Sequence, residues 1–201
     1  MSKGKILIAI LAVALVFGVV SFIDLFRKSE PNQTKQEPGN TAVAAEPEKT
    51  LEVHSGDGKA KLLGTNKRLA DATTNYVFRV VNEEDSPRKL FSKTLSLGGT
   101  IEVPANSWSP DNKQLFVQEN NNGVTNYLVY KADGSKYKNG DDHLDVSAFW
   151  EKSKYKYTIK TATGWAGNDL LELLTTKEDG TAGPSFWFVT SSRNFLQLRS
   201  I

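Results

Sequence analysis

The chain has 201 residues, with 25 Lys plus Arg against 23 Asp plus Glu and a formal net charge of +2. That near-balance excludes the basic stripe of a nucleic-acid groove, while 39% hydrophobic and 24% charged residues are the fractions of a folded chain. Cysteine is absent and histidine occurs only at His54 and His143, which removes disulfides, thiolate metal sites and a cysteine nucleophile and leaves little material for zinc or acid–base chemistry.

In chain order, the first element is a membrane segment. Residues 6–23, ILIAILAVALVFGVVSFI, run for 18 residues without a charge. As a helix rising ~1.5 Å per residue this run spans about 27 Å, close to the thickness of a bilayer's hydrocarbon core. Lys3 and Lys5 precede it and Arg27 and Lys28 follow it, so the charge bias is weak. The short basic region before the apolar run favours an N-terminus inside and the rest of the chain outside the cytoplasm. Val19-Val20-Ser21 is a poor small-x-small cleavage site, and Ala42-Val43-Ala44 lies far downstream. An uncleaved signal anchor over residues 1–28 is therefore expected, holding the protein in the cell membrane by a single pass. Residues 29–50 are rich in Pro, Glu, Gln, Asn and Thr; they bury too little apolar surface to offset the entropy of ordering and read as a linker.

From Leu51 to the end the pattern predicts an all-β domain. Short apolar runs rich in Val, Ile, Tyr, Phe and Thr alternate with turn signals at Asp57-Gly58, Gly98-Gly99, Asn122-Gly123, Asp133-Gly134 and Asp179-Gly180. Self-comparison aligns four segments, opening at Leu69, Trp108, Trp150 and Trp187 and spaced 39, 42 and 37 residues apart. Each passes from a large apolar residue through a polar turn into a strand. A period near 40 with about four strands per unit is the signature of propeller blades.

Trp108-Ser109-Pro110-Asp111-Asn112-Lys113 resembles the W-S-P-D-G-K signature of TolB-type, WD-repeat-like β-propellers, with Asn112 in the usual glycine place. The resemblance is strong in this one repeat and loose in the other three. It implies an interaction platform of the bacterial envelope or an accessory domain of a peptidase; mechanically, the opener tryptophans would pack between blades and Pro110 and Asp111 would shape the turn. The N-terminal strand reads as late strands of a blade and the segment after Trp187 as early ones, so closure of a fourth blade by both termini is the expected arrangement. An open array that dimerises and a β-sandwich compete with it.

On that geometry one loop face collects Glu83-Glu84-Asp85, Asn120-Asn121-Asn122, Asp141-Asp142-His143 with Asp145, and Gly164 to Asp169. Trp165 lies between glycines, where a sugar ring or a partner surface would stack on it. Asp141, Asp142 and His143 offer oxygen and nitrogen donors, but not the glycine-spaced pattern of a calcium loop. No G-x-S-x-G, H-E-x-x-H, P-loop or dinucleotide motif occurs. The chain is accordingly expected to be no enzyme and to need no cofactor and no metal. Its partners are expected to be the membrane through residues 6–23, an envelope protein and, in one arrangement, a second copy. Binding of cell-wall glycan and a structural role in a larger envelope assembly are the alternatives.

Overall fold

The computed structural model describes residues 48–82 and 86–199. The membrane segment and nearly all of the linker lie outside the described residues, as do Glu83, Glu84 and Asp85. Among the described residues no helix is long and apolar enough to cross a membrane.

The domain is all-β. Among the described residues twelve strands form three antiparallel sheets, each made of four strands consecutive in the chain and paired in sequence order. The first sheet holds β1 (Lys49–His54), β2 (Ala60–Arg68), β3 (Thr74–Asn82) and β4 (Arg88–Leu95). The middle sheet holds β5 (Thr100–Glu102), β6 (Gln114–Asn121), β7 (Val124–Lys131) and β8 (His143–Asp145). A short helix, α1 (Val146–Glu151), begins on Asp145, whose carboxylate accepts from the Ala148 N–H at 2.9 Å. It leads to the last sheet, β9 (Thr158–Gly167), β10 (Leu170–Thr176), β11 (Phe186–Val189) and β12 (Asn194–Gln197).

Two apolar cores separate the three sheets. Leu62, Phe78, Leu95, Leu115, Val117 and Tyr130 meet in one core, between the first and middle sheets. Phe116, Val129, Leu144, Leu171, Phe186 and Phe188 meet in the other, between the middle and last sheets. Successive residues of a strand point to opposite faces, so the middle sheet must be apolar at both parities. It is: Leu115, Phe116 and Val117 are consecutive and each is fully buried. Close approach has its own requirement at Gly64, where a Cβ would fall 2.6 Å from a Phe78 ring carbon. That ring stacks on Phe91 at 4.7 Å, and Phe91 stacks on Tyr130 of the middle sheet at 4.2 Å.

The expected fourth unit closed by both termini is not what the described residues form. β1 pairs with β2 and β12 with β11, each inside its own sheet, so each terminal strand completes a sheet made by its own neighbours. The repeat also has a different phase. Leu69 opens the β2–β3 turn, its N–H bonded to the Thr73 carbonyl at 2.8 Å, whereas Trp108 to Lys113 form the turn that enters β6. The structural counterpart of that turn is Ser55 to Ala60. In both, the serine hydroxyl donates to the aspartate two residues on, at 2.9 Å for Ser55–Asp57 and 2.8 Å for Ser109–Asp111. In both, the same hydroxyl accepts from a backbone N–H five residues on, at 3.0 Å from Ala60 and 2.9 Å from Gln114. Gly58 has φ 75° and Asn112 φ 58° at matching places, the left-handed conformation that glycine, and after it asparagine, adopts at least strain.

Candidate functional site

Antiparallel meanders put alternate connections at opposite ends of a sheet. One end of this stack gathers the β1–β2, β7–β8, β9–β10 and β11–β12 connections with the turn entering β6, and a groove of about 700 Å³ opens among them. All three sheets contribute: Arg88 from the first, Lys113 and Tyr137 from the middle, Asn168, Asp169 and Arg193 from the last. Five cationic side chains and three carboxylates line it, so it is mixed in charge with a positive excess.

Its walls are held by bonds between sheets. The Asn112 side-chain amide donates to Asp57 at 2.7 Å, and the Gln114 amide to the Asn168 carbonyl at 3.0 Å. Backbone donation from Lys59, then the Ser55 hydroxyl and the Asn112 amide, hold the Asp57 carboxyl below its usual range. Tyr137 forms the floor, its hydroxyl donating to Gln114 Oε1 at 3.3 Å. Burial pushes its phenol up, so it stays neutral and serves as a hydrogen-bonding group. On the rim, the Ser191 hydroxyl donates to Asp169 at 2.8 Å, and Arg193 Nη2 donates to Asn139 at 2.5 Å while its guanidinium lies 5.9 Å from the Phe149 ring. A groove so lined can take a polar, extended chain by salt links and amide hydrogen bonds.

The residues singled out in the sequence scatter across the domain. Asn168 and Asp169, in the expected Gly164–Asp169 loop, reach the groove. Asn120, Asn121 and Asn122 do not share that end: β6 runs from Gln114 to Asn121, which at ~3.3 Å per residue sets the two ends about 23 Å apart. There the Ser96 hydroxyl donates to Asn121 at 2.6 Å and to Asn122 at 3.2 Å, tying the first sheet to the middle one. Asp141, Asp142 and His143 line a neighbouring hollow of about 450 Å³ with Phe149 and Lys152. Asp142 pairs with Lys136 at 3.1 Å, Asp141 accepts from the Asn139 amide, and the His143 ring lies 5.3 Å from that of Tyr130. Among the described residues no group of three or more His, Cys, Asp or Glu is placed to hold a metal ion.

The tryptophans divide. Trp108 and Trp150 are each 7% exposed and sit in the first and second cores. Trp165 is half-buried, lies edge-on to Phe116 with ring centroids 6.4 Å apart, and donates its indole N–H to the Ser107 carbonyl at 2.7 Å. Trp187 lies within β11, belongs to neither core and faces away from the stack, because its neighbours Phe186 and Phe188 take the inward parity. Lys113, Tyr137 and Arg193 went unnoticed in the sequence as groove residues. The signal available was the second Ser-x-Asp-x-Lys, at Ser55 to Lys59, which fixes the phase of the repeat and hence which loops share an end. Neither a family model, nor a curated protein, nor a solved structure matches the chain.

Proposed function

We propose that this protein is a non-catalytic interaction module of the cell envelope, tethered by residues 6–23, with a domain outside the cytoplasm built as consecutive propeller-like blades. Its groove takes an extended, carboxylate-bearing segment of a protein partner. The observation that carries this reading is the pooling of the groove lining from all three sheets, with five cations over three carboxylates around a neutral phenol. Support for the blade-like build comes from three sequential meanders packed face to face and from the twin turns at Ser55 and Ser109. The glycan alternative is less favoured, because the Trp165 indole N–H is engaged by the Ser107 carbonyl and its ring packs edge-on to Phe116.

Photocrosslinking in whole cells tests the reading. A photoreactive residue at Lys138, on the groove rim, gives a discrete protein adduct; one at Lys177, at the opposite end of the sheets, gives none. Lys113→Glu weakens the Lys138 adduct by placing a carboxylate where the partner's would sit. Equal adducts from both ends, or none from Lys138, would refute the reading.

A further inference from the structure

Consecutive sheets are fastened together in the same way at both junctions. Trp108 stands opposite Leu115 and donates its indole N–H to the Val53 carbonyl of the first sheet at 3.2 Å. Trp165 stands opposite Leu171 and donates its indole N–H to the Ser107 carbonyl, which belongs to the middle sheet's side of the stack, at 2.7 Å. Each acceptor directly precedes the position of the preceding sheet's own ring: Val53 precedes His54, and Ser107 precedes Trp108. Extending the pattern one step at each end leaves two places without a counterpart among the described residues. Gly164, directly before Trp165, is the next acceptor position. His54, opposite Lys61 as Trp108 is opposite Leu115, is the ring with no preceding sheet to meet.

The faces around these places are part-exposed and complementary. On the last sheet Leu170, Leu174, Trp187, Val189 and Leu196 alternate with the buried residues of the second core and belong to neither core; Leu196 is 50% exposed. The corresponding position on the middle sheet shows what such a face is for. Tyr127 stands opposite Gln118 on the third strand and is only 2% exposed beneath the last sheet, whereas Trp187 stands opposite Glu172 on the third strand. On the outer face of the first sheet Leu63, Val77 and Val81 likewise belong to neither core. Register puts Lys61, Lys67, Arg79 and Lys89 on that face, against the carboxylate of Glu52. One face is therefore basic with an apolar centre; the other is apolar with Glu172 at its centre.

We propose that the outer face of the last sheet docks on the outer face of the first sheet of a second copy of this chain. Trp187 and Leu196 cover Leu63 and Val77, Glu172 meets Arg79, and His54 faces the Gly164 carbonyl as Trp108 and Trp165 face theirs. The contact is heterologous, using two different surfaces of each copy, and it stands independently of the groove.

The absence of cysteine makes the test clean. Full-length Leu63→Cys and Leu196→Cys chains carrying tags of different size are co-expressed, kept in membranes or detergent, and oxidised. The mixture yields a disulfide-linked heterodimer, and neither variant alone yields a dimer. Glu172→Arg in the Leu196→Cys chain lowers the linked fraction by about tenfold, and Arg79→Glu in the Leu63→Cys chain restores it; Arg79 is exposed and Glu172 part-exposed and outward-facing, so far-ultraviolet circular dichroism stays unchanged. Linkage of Leu196→Cys to itself would show two last sheets meeting face to face and overturn the proposal. So would an intramolecular Leu63–Leu196 disulfide in a monomer of the doubly substituted chain, or folded chains that link in no combination.

Discussion

Trp165 decides between a residue that holds sheets together and one that holds a ligand, and two substitutions separate these roles. Trp165→Phe keeps a ring against Phe116 but removes the donor that now lies 2.7 Å from the Ser107 carbonyl. The net loss for one such bond is about 1 kcal/mol. Trp165→Ala also removes the ring from the second core. A fully buried aromatic is worth ~3–5 kcal/mol; Trp165 is half-buried, so about 2–4 kcal/mol is expected. For a domain of this size 1 kcal/mol moves the melting temperature by roughly 2–4 °C. Thermal unfolding of residues 48–201, followed by far-ultraviolet circular dichroism, should show a drop of about 3 °C for Trp165→Phe and about 6–12 °C for Trp165→Ala. A Trp165→Ala domain that melts with the parent while losing affinity for a surface glycan would sink the reasoning and return Trp165 to the binding residues.

Three further expectations are read by unfolding, the first two thermally and the third in urea. Asn112→Ala loses the 2.7 Å amide bond to Asp57 and keeps a Cβ at φ 58°, so it should lose about 2 kcal/mol; Asn112→Gly loses the bond but relieves the backbone and should lose only about 1 kcal/mol, and equal losses would mean that backbone strain is not the issue. Lys93→Met strands Glu119, which is 4% exposed and whose Oε2 lies 2.5 Å from the Lys93 ammonium. The loss should be about 2–3 kcal/mol, less than for a fully buried pair because the Lys93 side chain is 41% exposed, and Lys93→Met with Glu119→Leu should recover most of it. Hydrogen bonds from Thr73 to Asp71 and from Thr181 to Asp179 hold both carboxyls below their ordinary value of 3.8. A carboxyl depressed in the folded state stabilises above its unfolded pKa and stops doing so as pH falls through the folded one. The urea midpoint should therefore decline below about pH 4, less steeply for Asp71→Asn with Asp179→Asn; an unchanged slope would refute that assignment.

Turn chemistry carried much of what could be read from the sequence. Asp57-Gly58, Asn122-Gly123, Asp133-Gly134 and Asp179-Gly180 all sit at turns, with glycine φ values from 71° to 80°. The phase of the repeat was not legible from the same signals, and the reason is local. Leu69-Ala70-Asp71-Ala72-Thr73 and Ser109-Pro110-Asp111-Asn112-Lys113 both close on an aspartate that accepts a backbone N–H two residues on, at 3.0 Å and 3.2 Å. Side-chain capping of this kind needs only neighbours in sequence, so it cannot report which end of a sheet the turn occupies. That is settled by strand pairing and by bonds such as Gln114 to Asn168, 54 residues apart, which no local pattern encodes. The groove was missed for the same reason.

Burial and pattern disagree in one informative place. A strand covered on both faces reads as a continuous apolar run, and one covered on a single face alternates with polar residues. In the middle sheet the two agree, since Leu115-Phe116-Val117 is apolar throughout and buried throughout. This double cover also separates the fold from a two-sheet sandwich, in which each sheet has one inner face. The last sheet carries the same kind of run, in Phe186-Trp187-Phe188-Val189 and in the leucines flanking Glu172, yet only Phe186, Phe188, Leu171 and Leu173 are buried. Strand propensity alone does not call for leucine and tryptophan at the outward positions, where polar β-formers would serve an exposed face. The excess apolar parity is therefore a property of the sequence that the described fold of one copy leaves unexplained, and the proposed second copy on Trp187 and Leu196 would account for it.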